Sequence, residues 1–143
     1  MKNALITVRA KSTRLPRKCF LDFGGQTVLE HVIKRCQIFG FNPIVATTHE
    51  DDEIVELCKK LNVQCYAGSV EDKLMRWLEA CYKFKIDKFV TVDCDDPFFD
   101  DELTHFMYNT VGIPTYTVEG TRVIDVAHPD HKAFLGAVGW GIS

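Results

Sequence analysis

Ala4-Leu5-Ile6-Thr7-Val8-Arg9-Ala10-Lys11-Ser12-Thr13-Arg14-Leu15-Pro16-Arg17-Lys18 decides how this chain reads. Its first five residues form a short apolar run, the pattern of a strand buried on both faces of a parallel sheet. The next ten hold five cations, and no acidic residue precedes Asp22. A cationic loop at the end of a buried strand is where an α/β protein holds phosphate groups, because Arg and Lys donors meet phosphate oxygens there. The plainer reading of most Lys/Arg clusters is a solvated surface. Here Ser12, Thr13 and a rigid Leu15-Pro16 step interrupt the cations, and the loop lies between a strand and a helix.

Outward from this stretch, strand and helix patterns alternate. Gly24-Gly25 turns the chain, Thr27 and Glu30 predict a capping box, and Val28, Leu29, Val32, Ile33 and Cys36 make one helical stripe that ends near Gly40. Pro43 to Thr48 predicts a second strand. Asp51 and Asp52 then favour a helix start, with Ile54, Leu57, Cys58 and Leu61 at helical spacing. Val63 to Tyr66 reads as a third strand. Leu74, Trp77, Leu78, Cys81 and Tyr82 read as the apolar face of the next helix. Lys88 to Val92 is the fourth strand, running straight into Asp93-Cys94-Asp95-Asp96, and Asp100 to Tyr108 reads as a short helix. This alternation predicts an α/β protein with a mostly parallel sheet. Ile113 to Val118 and Thr121 to Ala127 suggest a hairpin, while Phe134 to Ser143 carries no strong pattern.

The length, 143 residues, suits one domain, and the net charge of −3 gives no reason to expect a nucleic-acid or membrane surface. Charge is nonetheless segregated. Residues 1–18 hold six cations and no anion, whereas Asp87 to Glu102 holds seven carboxylates and one lysine. Two such segments meeting in space suit a metal-bound polyphosphate, arginines on its oxygens and aspartates on the metal. Six cysteines occur without a Cys-x-x-Cys pair or a secretory leader pattern, which points to buried free thiols in a reducing cytoplasm. Cys19, beside the basic loop, reads as a packing residue.

Arg9-x-x-Ser12-x-Arg14-Leu15-Pro16-x-Lys18 after an apolar strand resembles the signature of the cytidylyltransferase family, which includes acylneuraminate and 3-deoxy-manno-octulosonate cytidylyltransferases and spore-coat polysaccharide proteins. The resemblance continues through Gly24-Gly25, Leu29 to Ile33, Val45 to Thr48, Gly68-Ser69-x-x-Asp72 and Asp95-x-Pro97, then fades after roughly the first hundred residues. It implies a three-layer sandwich of the nucleotide-diphospho-sugar transferase type. Residues 1–110 would form the nucleotide-binding half of one nucleotidyltransferase-like domain, and 111–143 a compressed tail. It also implies a cytoplasmic enzyme that activates a sugar or sugar acid with CTP, releases pyrophosphate and serves polysaccharide synthesis. The partners implied are the nucleotide, Mg²⁺ and a small sugar, with room for a homodimer.

On that reading Arg9, Arg14 and Lys18 contact phosphates and carry the catalysis, because displacing pyrophosphate develops negative charge that fixed cations stabilise. Ser12 and Thr13 would donate to a phosphate or pin the loop. Gly68, Ser69 and Asp72 resemble the segment lining the base and ribose, though a turn and a helix cap explain them equally. Asp93 ends a predicted parallel strand, where hard carboxylates suit Mg²⁺; the family's metal aspartate maps to Asp95, and Asp125 is the tail's candidate for a second. Two departures stand out: the family often has Gly where this chain has Arg17 and, in its spore-coat branch, where it has Lys11. Two rival functions remain open. One is a glycosyltransferase of related fold using Asp93-Cys94-Asp95 as its metal site. The other is a nucleotide-binding domain without catalysis.

Overall fold

The structure is a computed structural model that describes residues 2–10, 17–94, 97–110, 126–127 and 141–142. Its strands are β1 (Lys2–Thr7), β2 (Phe41–Thr48), β3 (Gln64–Gly68), β4 (Phe89–Asp93), β5 (Val126–Ala127) and β6 (Gly141–Ile142). Its helices are α1 (Val28–Ile38), α2 (Asp52–Leu61), α3 (Lys73–Phe84) and α4 (Asp101–Thr110), with one 3₁₀ turn at Lys18–Phe20. The strands form one sheet in the order β3-β2-β1-β4-β6-β5. β1 runs parallel to both β2 and β4, and β2 parallel to β3, whereas β6 is antiparallel to β4 and to β5.

Alternation along the strands separates two cores. Ala4, Ile6, Val45, Val90 and Val92 face α1, α2 and α4, packing with Leu29, Val32, Ile33, Ile54, Cys58, Phe99 and Met107. Leu5, Ile44, Ala46 and Phe89 face the other way, onto Trp77 and Ala80 of α3. The sheet between two helical layers is the three-layer α/β sandwich predicted. Among the described residues no helix is long and apolar enough to cross a membrane.

The differences from expectation have physical causes. β2 starts at Phe41 and runs through Pro43, a residue usually kept out of central strands. Pairing with β3 begins only at Ile44, so Pro43 sits where β2 has β1 alone beside it. Between the basic loop and α1 the chain makes the 3₁₀ turn, followed by an antiparallel bridge between Asp22 and Thr27. Within the tail, β5 pairs with β6, and the rest of the expected hairpin lies outside the described residues.

The largest correction concerns α3. Its apolar stripe was expected to face the core, yet Leu74, Leu78 and Tyr82 are exposed and Arg76, Trp77 and Ala80 are buried. The indole N–H of Trp77 donates to Thr7 Oγ1 at 3.0 Å, which sets the helix's rotation against the end of β1. The six cysteines are free thiols: Cys19, Cys36, Cys58 and Cys94 are buried, and Cys65 and Cys81 half-buried.

Candidate functional site

In the sheet order, β2 and β3 lie to one side of β1 and β4 to the other, so the chain's direction of travel reverses between β1 and β4. Open α/β sheets bind ligands at the carboxyl ends of strands at such a switch point. A cleft of about 380 Å³ lies there, lined by Thr7, Val8 and Arg9 after β1, by Lys18 and Cys19, by Asp93 and Cys94 closing β4, and by Val70, Glu71, Lys73 and Arg76 from α3 and the turn before it. Thr7 and Asp93 are register partners, which brings the two strand ends side by side. The volume suits a small molecule, and its charged lining suits an anionic one.

The basic loop is closed at its base. Arg17 N–H donates to Ala10 O at 2.7 Å, and Ala10 N–H donates to Asp51 Oδ1 at 3.1 Å. Asp51 is buried and also accepts from Thr47 Oγ1 at 3.1 Å and Thr48 Oγ1 at 2.5 Å. Thr47 and Thr48, at the end of β2, therefore serve this carboxylate. Arg17 takes a left-handed backbone with φ 61°, a conformation glycine adopts without strain. It is held by an ion pair to Glu53 at 2.7 Å and by the Phe20 ring at 4.9 Å. Lys18 opens the 3₁₀ turn and lines the cleft. Burial, with the charge of Asp51 adding to it, pushes the Cys19 thiol up to about 11, which leaves it protonated and unreactive at neutral pH.

Arg76 is the residue that sequence reading missed. It is only 5% exposed, its Nη1 donates to Ser69 O at 2.9 Å, and its Nε has no hydrogen-bond partner among the described residues. Burial pulls its pKa below the ordinary guanidinium value, the nearby Arg9 charge adds to this, and Asp51 opposes it. A buried cation with an unused donor at a cleft wall suits an anionic ligand electrostatically. The place of Arg76 on the buried side of its helix, four residues from Ala80, shows only in the structure.

Gly68, Ser69 and Asp72 flank Val70 and Glu71 in sequence but do not themselves line the cleft. Asp72 Oδ1 accepts from Met75 N–H at 2.9 Å, capping α3, and Ser69 Oγ accepts from Asp72 N–H at 3.0 Å. Gly68 is tightly enclosed: a Cβ there would meet Tyr66 Cε1 at 2.6 Å and Arg76 Cγ at 3.2 Å. Of the named phosphate and metal candidates, the cleft unites Arg9, Lys18 and Asp93. Ser12, Thr13, Arg14, Asp95 and Asp125 lie outside the described residues. Among those described, no three His, Cys, Asp or Glu side chains gather as a metal site, and Asp93 and Glu71 are the carboxylates on the cleft. One or two carboxylates fit Mg²⁺, which takes its other ligands from water and phosphate oxygens.

Comparison with known proteins agrees with this geometry. The sequence model of the cytidylyltransferase family matches residues 3–124. The chain is 31% identical over 104 residues to a 3-deoxy-manno-octulosonate cytidylyltransferase of Leptothrix cholodnii, covering 69% of this chain and 38% of that protein. It is 31% identical over 111 residues to the spore coat polysaccharide biosynthesis protein SpsF of Bacillus subtilis, covering 72% and 46%. The solved structure of a cytidylyltransferase from Leptospira borgpetersenii superposes with a TM-score of 0.70 at 36% identity, over 75% of this chain and 47% of that one. The chain thus spans less than half the length of each of these relatives. With the family match running through β1, the basic loop and β4, the strands and loop that build the cleft, this chain belongs to the cytidylyltransferase family.

Proposed function

We propose that the cleft binds CTP and that the protein transfers its cytidylyl group to a sugar or sugar acid, as a step in making cell-surface polysaccharide in the cytoplasm. An acceptor oxygen attacks the α-phosphorus, the bond from that phosphorus to the bridging oxygen breaks, and pyrophosphate departs. Arg9, Arg14 and Lys18 offset the charge that builds on the phosphates, Lys18 nearest the reacting phosphorus, while Ser12 and Thr13 hold the loop to them. Gly68, Ser69 and Asp72 shape the wall for base and ribose. Asp93 and Asp95, with Asp125 as the tail's contribution, would hold Mg²⁺, which supplies charge neutralisation at the phosphates. The chain's own work is positioning and charge stabilisation.

The observation that carries this reading is the shared lining: Arg9 and Lys18 from the basic segment and Asp93 from the end of β4 face one cleft. A binding-only reading draws support from the chain's short span against its relatives. One experiment separates the two. Thermal unfolding with CTP, other nucleoside triphosphates and CMP-sugars, with and without Mg²⁺, is paired with a pyrophosphate assay using 3-deoxy-manno-octulosonate and acylneuraminate. A CTP-selective rise in Tm with pyrophosphate release supports transfer. A rise without release leaves a binding domain, and a rise with CMP-sugars alone points to the glycosyltransferase alternative. No shift with any nucleotide rules out the whole reading.

A further inference from the structure

The connection from β4 to α4 is held at both of its ends. It leaves the sheet at Asp93 and Cys94, where Asp93 is the register partner of Thr7 and Cys94 N–H donates to Thr7 O at 3.4 Å. Three residues later α1 grips it. His31 Nε2 lies 3.0 Å from Pro97 O, and Arg35 Nε donates to Phe99 O at 2.9 Å. His31 and Arg35 are four residues apart, so they stand one turn after the other on a single face of α1.

Both bonds are fixed by what surrounds them. Lys34 Nζ donates to Gln26 Oε1 at 2.9 Å, which turns the Gln26 amide N–H toward His31 Nδ1, 3.4 Å away. Nδ1 therefore accepts, and the imidazole proton sits on Nε2, where Pro97 O receives it. The Phe23 ring, its centroid 4.5 Å from that of His31, packs against the imidazole. Arg35 is held by two rings, its guanidinium carbon 4.6 Å from the Phe39 centroid and 5.5 Å from the Phe99 centroid. Burial of Phe99 already anchors the start of α4. Two side chains bonded to alternate carbonyls do more, because they fix the main-chain path itself.

What separates the anchors gives the clamp its purpose. Only Asp95 and Asp96 join Cys94, tied to the sheet, to Pro97, tied to α1. We propose that His31 and Arg35 are positioning residues for the metal half of the site. By fixing the main chain beyond Asp95 and Asp96, they hold the carboxylates after β4 where Mg²⁺ meets the phosphates of CTP. This rests on the reading of the cleft as a CTP site. Neither His31 nor Arg35 lines the cleft, so their effect passes through the backbone. Residues that orient a metal's ligands without touching the metal typically set about 10- to 100-fold of its affinity.

Calorimetric titration of CTP into the full chain, once with EDTA and once with saturating Mg²⁺, tests this without any turnover. In the wild type, Mg²⁺ tightens CTP binding by about tenfold or more. His31→Phe keeps a ring against Phe23 but has no N–H for Pro97 O. It and Arg35→Met each lose at least about fivefold of the Mg²⁺ gain, while Kd in EDTA stays within about twofold of wild type. His31→Gln, whose amide N–H reaches for the same carbonyl, keeps the gain. Circular dichroism shows which variants fold; should Arg35→Met fail to, the two His31 variants decide alone. A Mg²⁺ gain that survives His31→Phe overturns the proposal, and so does His31→Gln losing as much as His31→Phe. An equal loss with and without Mg²⁺ overturns it too, since that marks a purely structural contact. A wild type that binds CTP with no gain from Mg²⁺ sinks the clamp's role and leaves the CTP site standing. One that binds no CTP in either condition sinks both.

Discussion

Among the described residues, Arg76 carries a charge that its surroundings satisfy only in part. A guanidinium taken out of water loses hydration, and here one backbone carbonyl, Ser69 O, and the partial opposition of Asp51 return only part of it. Such a residue weakens the ligand-free protein and strengthens the complex with an anion. Replacing it with Met, of similar length and no charge, should therefore leave urea stability unchanged or raised. The same variant should lose roughly 1.5–3 kcal/mol of CTP binding, about 10- to 100-fold in Kd. Urea unfolding and calorimetric titration read the two quantities separately. A variant that is destabilised yet binds CTP normally would make Arg76 a scaffold residue. From sequence alone Arg76 was invisible because a charge in an amphipathic helix reads as surface. Lys18 and Arg9 were legible because they crowd a loop at the end of an apolar strand, a pattern with few structural explanations.

At the level of elements, the four parallel strands and four helices could be read from periodicity, since each is long enough to repeat its pattern. β6 could not, because Gly141-Ile142 is too short to show one and owes its existence to β4. The rotation of α3 was also misread. Periodicity locates a stripe but not the direction it faces, and here Trp77's bond to Thr7 and the burial of Arg76 and Ala80 decide it. The start of α3 gives a test of what Asp72 does. Its carboxylate accepts from Met75 N–H, so Asp72→Ala should cost about 1 kcal/mol, while Asp72→Asn, an equally good cap, keeps nearly all of the stability. If capping is its whole role, the CTP-induced rise in Tm is unaltered in Asp72→Asn. A normal Tm with a lost CTP response in that variant would show the carboxylate itself touching the nucleotide.

Across the whole molecule, the site depends on strand order, and strand order is set by non-local pairing that no local pattern reports. The sequence placed cations after β1 and a carboxylate after β4; only the sheet makes those strands neighbours, with Thr7 opposite Asp93. The far side of β4 is closed by β6, whose Gly141 and Ile142 pair with Val90 and Phe89. This pairing lies toward the start of β4, away from the cleft at its end. Deleting residues 141–143 uncovers backbone N–H and C=O groups along buried strand residues, and an open edge invites pairing with another chain. Losing one or two ladder hydrogen bonds at about 1 kcal/mol each should lower Tm by roughly 5 °C and raise light scattering on heating. Arg9, Lys18 and Asp93 stay where they are, so the rise in Tm that CTP produces should persist on the lowered baseline. Differential scanning calorimetry with and without CTP reads both effects. A truncated chain that keeps its Tm would show that β6 contributes nothing to the sheet. One that loses the CTP response along with its stability would show that the cleft depends on the tail as well as on the strand ends that line it.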